Sequence, residues 1–395
     1  MQDMKDGQVY MDYNATTPCD NRVVDAMLPY FNSYFGNAAS RNHVFGWQAE
    51  AAVDIGREQV AKIIGASSSE IVFTSGATEA DNLAIKGVFE AYRSKGNHII
   101  TCTTEHKAVL DSCKHIERLG GEITYLEVDS NGNIDLEKLE HSIRPSTILI
   151  SLMYANNETG VIHPISEISK IARRRNILFF TDATQAVGKI GVDVNKDGID
   201  LLAFSAHKLY GPKGIGALYV RRKNPRVQLI AQMDGGGHEK GKRSGTLNIP
   251  GIAGFGKACE IALAEKEIES TRLVKFRDKL EKHLMDLGHV QINGSVENRL
   301  PNVSNLTFKN VEAEAVIMNI NKQIAISSGA ACTSASMEPS HVLKAMGLPD
   351  DMAFSSLRFS MGRFTTEEEV NYTIEQICKT VINLRAVSPL WELNN

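Results

Sequence analysis

Five points along the 395-residue chain place reactive side chains directly behind short β-branched runs. Ser75-Gly76-Ala77-Thr78-Glu79 follows the run 71–74, and its small residues leave backbone N–H groups free to grip an anion at a helix start. Thr104-Glu105-His106 follows 98–102, and Asn156-Asn157-Glu158 follows 147–153. Asp182 and Gln185 come after 178–181, and Ser205-Ala206-His207-Lys208 after 201–204. In an open parallel sheet, ligands bind beyond the carboxyl ends of the strands, so these groups would share one rim. Hydroxyls, two histidines, an amide pair, a carboxylate and an amine together describe a site for an anionic, nitrogen-containing ligand.

A further candidate stands apart from the strand ends. Cys332 lies in Ser-Ser-Gly-Ala-Ala-Cys-Thr-Ser-Ala-Ser, residues 327–336, built only of small side chains. Such a stretch contributes little core, so it reads as a loop carrying an accessible thiol. The chain has 6 cysteines, scattered without C-x-x-C or Cys/His spacing, which excludes a disulfide framework and a zinc site and points to reduced thiols. Gly236, Gly241 and Lys242 begin like a nucleotide-binding loop. Arg243 then stands where a magnesium-binding hydroxyl belongs, so ATP binding is rejected.

The elements that must position these groups follow from the pattern. Strands are expected at Ile71–Thr74, His98–Cys102, Ile123–Val128, Thr147–Met153, Leu178–Thr181, Leu201–Phe204 and Ala217–Val220, with helices such as Glu79–Tyr92 and Ile165–Arg174 between them. That alternation argues for a mostly parallel sheet covered on both faces. Residues 258–287 carry a helical pattern through Leu273, Phe276, Leu280, Leu284 and Leu287, stopped by Gly288. Strands at Val303–Phe308 and Ile324–Ser327 and helices near 312–320 and 366–384 then form a smaller α+β unit. The expected division is 15–260 for the large domain, and 1–14 with 261–395 for the small one.

Charges of 43 Lys+Arg against 47 Asp+Glu give −4, which argues against a strongly basic nucleic-acid binder. No apolar run approaches the ~20 residues needed to span a bilayer. The N-terminus has neither a secretion signal nor a transit-peptide character, so a cytoplasmic protein is expected.

A phosphate cup, a carboxylate behind a strand, a histidine able to stack on a ring and a lysine after a strand fit pyridoxal phosphate. The lysine would form the Schiff base, and the aspartate would keep the pyridine nitrogen protonated. The segments FSAHKLYGPKGIGALYVRR, TSGATEADNLAIKG, TEHKAVLD, DATQAVGK, GGGHEKGKRSGT, SSGAACTSAS and LRFSMGRFTTEEE resemble those of the cysteine desulfurases, in the branch that includes NifS and IscS. They occur in that family's order, and the similarity runs from about Tyr13 to the C-terminus. Two departures are small: Ala206 stands where many relatives have Gly, and Asn37-Ala38-Ala39-Ser40 carries two alanines where the family has Pro-Ser.

The resemblance implies an α/β fold of the pyridoxal-phosphate-dependent transferase fold type I, with a mostly parallel seven-stranded sheet and a smaller α+β C-terminal domain. It makes Lys208 the cofactor lysine, pairs Asp182 with the ring nitrogen and Gln185 with the ring hydroxyl, and stacks His106 on the ring as a proton carrier. Ala77, Thr78, Ser205 and His207 would hold the phosphate, completed by Thr246 from the partner of a homodimer. Asn157 would contact cofactor or substrate, and Arg358 would clamp the substrate carboxylate. Cys332 would be the nucleophile that takes sulfur from L-cysteine as a persulfide, leaving L-alanine.

The implied acceptors are an iron–sulfur scaffold protein and other sulfur carriers, including those for tRNA thiolation. They would dock near the Cys332 loop and the tail that contains Trp391, and in such a complex Cys332 would be a transient iron–sulfur ligand. A related aminotransferase, a selenocysteine lyase or a desulfurase serving DNA phosphorothioation uses similar chemistry. A non-catalytic sulfur relay is disfavoured by the intact Lys208, Asp182, His106 and Cys332. No membrane and no direct nucleic-acid partner is expected.

Overall fold

The computed structural model describes residues 7–328, 338–388 and 391. Cys332 and most of its loop therefore lie outside the described residues, as does most of the tail. Thirteen strands are described: β1 (Val9–Tyr10), β2 (Ile71–Thr74), β3 (His98–Cys102), β4 (Glu122–Leu126), β5 (Thr147–Ser151), β6 (Leu178–Asp182), β7 (Leu201–Ser205), β8 (Gly216–Val220), β9 (Val290–Ile292), β10 (Val303–Phe308), β11 (Ile324–Ala325), β12 (Ser327–Ser328) and β13 (Ser356–Ser360).

The large sheet has 7 strands in the order β2-β8-β7-β6-β5-β3-β4, and β8 alone runs against its neighbours. Strands β3, β5, β6, β7 and β8 are buried at every position, without alternation. Helices cover both faces, so an inner strand has no wet side. The edge strand β4 is Glu-Ile-Thr-Tyr-Leu and mostly half-exposed, as an edge should be.

The helix Ile249–Met285 starts before the expected 258, because Asn248 caps it, accepting from Gly251 N, with Pro250 in the first turn. Its first half puts Ile252, Phe255 and Ala258 into the core under the large sheet. Its second half puts Leu273, Leu280 and Leu284 into a separate cluster with Val9, Met11, Leu306, Phe359 and Ile377. Gly288 follows in the left-handed region at φ 64°, ending the helical path.

The smaller sheet is β12-β13-β10-β9, antiparallel throughout. The expected strand Ile324–Ser327 divides in two. Its first half pairs with β1 and its second with β13, because the chain changes partner at Ile326. Strands β9 and β13 have no counterpart in the sequence reading. Among the described residues no helix is long and apolar enough to cross a membrane. Trp391 rests against Arg385, 4.4 Å from its guanidinium carbon, and against His289.

Candidate active site

The carboxyl ends of the central strands open into a cavity of about 660 Å3. Ala77, Thr78, His106, Asn157, Asp182, Gln185, Ser205, His207, Lys208 and Arg358 all line it. Segments up to 281 residues apart in the chain (358 − 77) thus meet around one space.

At one end the helix Ala77–Tyr92 begins, and its cap, Gly76, contributes no side chain over the first amides. Unpaired N–H groups there, with the helix dipole behind them, suit an anion. Glu79 does not oppose one, because its carboxylate is taken by Ser75 N–H at 2.7 Å and by Arg243 Nε at 2.8 Å. Burial works against that charge, but these hydrogen bonds outweigh it and hold the carboxyl below its usual range. His207 Nδ1 lies 3.1 Å from Thr16 Oγ1. Burial, then the charges of Lys208, Lys213 and Lys189, bring His207 down to about 4, so its ring is neutral at pH 7. Ala206 is fully buried in the core under the sheet and does not line the cavity, so its extra methyl leaves the cup unchanged.

In the middle of the cavity stands Asp182, the last residue of β6, with Oδ1 accepting from Thr184 N at 2.9 Å. Two further carboxyls are buried nearby. Asp81 lines the cavity with both oxygens unpartnered, and burial, then Asp182 and Glu105, raise it well above the carboxylate range. Glu105 accepts from Met153 N at 2.6 Å and is raised in the same way, chiefly by burial. Burial thus favours the neutral forms of Asp81 and Glu105 beside Asp182. His106 caps the helix Lys107–Arg118, its Nδ1 accepting from Ala108 N at 3.2 Å, so a neutral ring carries its proton on Nε2.

Lys208 sits in the short turn Ala206–Lys208 behind β7, where its ammonium donates to the carbonyls of Asn14 and Ala15, each at 2.6 Å. Burial, then Arg358, lowers its pKa to about 8, against the pull of Asp12 and Asp182. Arg358, in β13, donates to Asn157 O at 3.0 Å, Asp12 Oδ1 at 2.8 Å and Ser327 Oγ at 3.2 Å, while its Nε has no partner.

Thr246 is not among the lining residues. It stands exposed in the loop that Arg243 ties to Glu79. Three residues that sequence reasoning missed do line or brace the cavity. Asn14 is buried and joins Gln185, Lys208, Asn157 and Asn302 through its polar atoms. Thr184 lines the cavity with a buried, unpartnered hydroxyl. Lys189 donates to Gln185 Oε1. Their signal was adjacency: Thr184 and Lys189 fall inside the segment that carries Asp182, and Asn14 opens Asn-Ala-Thr-Thr-Pro beside the start of the resemblance.

An anion cup, a carboxylate at a strand end, an amine of lowered pKa and an unsatisfied hydroxyl in one cavity are the donor set that pyridoxal phosphate requires. Comparison with known proteins agrees. The family described as aminotransferase class-V matches residues 9–373. The chain is 57% identical over 386 residues to "Cysteine desulfurase IscS" of Anaeromyxobacter dehalogenans (strain 2CP-C), covering 98% of this chain and 95% of that protein. It is 56% identical over 387 residues to the protein of that name from Pectobacterium carotovorum subsp. carotovorum (strain PC1), with the same two coverages, 98% and 95%. A solved structure called "NIFS-LIKE PROTEIN" superposes with a TM-score of 0.89 at 38% identity, over 95% of this chain and 100% of that one.

Proposed function

The chain belongs to the aminotransferase class-V family, and from that premise we propose that it is a pyridoxal-phosphate-dependent cysteine desulfurase whose sulfur is taken up by Cys332. The single observation that carries this reading is the placing of Lys208, with its lowered pKa of about 8, in one cavity with Asp182 and the open helix end at Ala77. Pyridoxal phosphate, when bound, supplies a conjugated electron sink for bond breaking in the amino acid. Ala77, Thr78, Ser205 and His207 hold its phosphate, Asp182 and Gln185 its ring, and Lys208 its carbonyl carbon.

Arg358 and Asn157 orient the carboxylate of L-cysteine, for which a planar guanidinium is suited. His106 Nε2 moves protons at the face of the site. The cysteine C–S bond breaks, an S–S bond forms on Cys332, and L-alanine leaves. A thiol with an ordinary pKa of ~8.5 is mostly protonated at neutral pH, so Cys332 must first lose its proton, and His106 is the base we assign to that step.

Around this site we place a cofactor-binding domain at 15–260, and a smaller domain at 1–14 with 261–395. The separate apolar cluster shared by Val9, Met11, Leu280 and Phe359 supports that division. The enzyme acts as a cytoplasmic homodimer in which Thr246 completes the partner's phosphate cup. The persulfide passes to an iron–sulfur scaffold protein and to carriers for tRNA thiolation, docking near the Cys332 loop and the Trp391 tail.

The test is turnover of L-cysteine by the purified protein with a thiol reductant present. Wild type releases alanine and sulfide. Lys208→Ala loses both the visible absorption band of the bound cofactor and turnover, whereas Cys332→Ser keeps the band and makes no sulfide. A Cys332→Ser variant as active as wild type overturns the nucleophile assignment and reopens a lyase or transaminase.

A further inference from the structure

The amide of Gln185 is gripped from both ends. Lys189 Nζ donates to Gln185 Oε1 at 2.6 Å, and Gln185 Nε2 donates to the backbone carbonyl of Asn14 at 3.0 Å. That same carbonyl accepts from Lys208 Nζ at 2.6 Å. A relay of three hydrogen bonds therefore runs from Lys189 to the amine of Lys208. Asn14 is not free to swing within it. Its amide N donates to Ser360 Oγ at 2.9 Å, its Nδ2 to Asn157 O at 3.1 Å, and its Oδ1 accepts from Asn302 Nδ2 at 3.0 Å.

We propose that Lys189 is a positioning residue of the active site: it fixes which way the Gln185 amide faces, and so presents the N–H side of that amide to the cofactor ring beside Lys208. The proposal rests on the reading that pyridoxal phosphate binds at Lys208.

The argument is one of donors and acceptors. An amide side chain is nearly symmetric in shape, so only its partners decide between its two orientations. Lysine offers only donors while it is charged, and a carbonyl only accepts. Turning Gln185 over would set its NH2 against the ammonium of Lys189 and its oxygen against the oxygen of Asn14. Without Lys189 one of those two constraints is gone.

A structural role in ion pairing does not account for this lysine. Among the described residues no carboxylate lies within ion-pair distance of its ammonium. Burial, then the charge of Lys208, brings its pKa down to about 7, with Glu269 pulling the other way and Arg358 adding to the fall. A buried amine without a counter-ion costs stability, and an apolar side chain of the same length would be favoured there. Its backbone carbonyl accepts from Ser270 Oγ at 2.6 Å, which anchors the turn to the long helix whatever the side chain. Above its pKa the neutral amine of Lys189 gains a lone pair that can accept, so the donor-only constraint acts on the acid side, and on the basic side the Asn14 carbonyl alone holds the amide.

The experiment uses the full-length enzyme, stripped of cofactor and titrated with pyridoxal phosphate, with thermal midpoint and the visible band recorded for each variant. Lys189→Met is expected to keep the wild-type midpoint or exceed it, to shift the band, and to weaken cofactor binding by about 3- to 10-fold, the loss of one hydrogen bond. Lys189→Gln, which still donates, stays within about twofold of wild type. In a Gln185→Met background, Lys189→Met costs nothing further, since the contact it serves is already gone. Equal losses with and without Gln185, or no loss at all, overturn the proposal.

Should Lys189→Met not fold, the isosteric pair Lys189→Gln and Lys189→Glu decides instead. The carboxylate cannot donate and must weaken binding, and equal affinities overturn the proposal. A wild-type protein that forms no band and binds no pyridoxal phosphate defeats the reading beneath it, an outcome separate from the behaviour of these variants.

Discussion

Lys208 must be a free amine to attack a carbonyl, and its surroundings bring it most of the way. An ordinary lysine near 10.5 is almost wholly protonated at pH 7, whereas burial and Arg358 hold this one at about 8. The drop of about 2.5 pH units raises its reactive fraction at neutrality roughly 300-fold. The sign follows from the proton lost: the reactive form grows as pH rises towards the folded pKa and saturates above it. Stopped-flow uptake of pyridoxal phosphate by the stripped enzyme should therefore speed up about tenfold from pH 6 to pH 7 and level off beyond about pH 9. A rate still climbing tenfold per unit at pH 9.5 would show an unshifted lysine. The same economy of charge shapes the floor of the cavity, where burial pushes Asp81 and Glu105 towards their neutral forms beside Asp182.

At the scale of elements, the reversed strand β8 decides how tightly the anion cup is built. It lies between β2 and β7, so the segment that leaves Lys208 returns beside the strand that leads to Gly76. Gly216 opens β8 at the crowded point. A Cβ placed there would lie 2.7 Å from the backbone of Gly76 and 2.8 Å from the carbonyl of Phe204. Both neighbours are main chain, so neither can turn aside, and the strands or the cup must move. Gly216→Ala should cost about 1–3 kcal/mol of stability, the usual range for overpacking. It should also weaken pyridoxal phosphate more than it weakens the fold, read as a thermal midpoint with and without cofactor. Equal midpoint losses in both states would place the damage away from the cup.

At the scale of the whole molecule, one surface looks unfinished. Phe31, Phe35, Val44, Phe45 and Trp47 are each between 49% and 64% exposed on neighbouring helices and the turn between them. So large an aromatic face suits an interface between copies of this chain. Thr246 stands exposed in a loop that a second copy could present to its partner's cup. Mixed dimers test this. Thr246→Ala alone should weaken cofactor binding in both sites, and Lys208→Ala alone should be inactive. A dimer with one chain of each has one complete site if Thr246 acts across the interface, so it should regain close to half of wild-type turnover at limiting cofactor. If Thr246 serves its own subunit, the mixed dimer regains nothing.

The chemistry of this protein was legible in its residues, because a lysine, an aspartate and a small-residue turn behind separate strand runs imply their ligand. Seven strands were legible as well, since inner strands are continuous β-branched runs and their ends are polar. What local pattern could not carry was partnership. The split of Ile324–Ser327 between two sheets depends on β1 and β13, far away in the chain. Asn14 matters only because β1, paired to β11, delivers it to the cavity beside residues more than 140 positions on. Lys189 stands only four residues after Gln185, yet that contact gains its meaning from the distant Asn14 carbonyl that holds the other end of the amide. Residue types and periodicity determine which groups are reactive and which faces are buried. Which polar atoms meet depends on strand order and long-range register, and those are set by the packing of the whole chain.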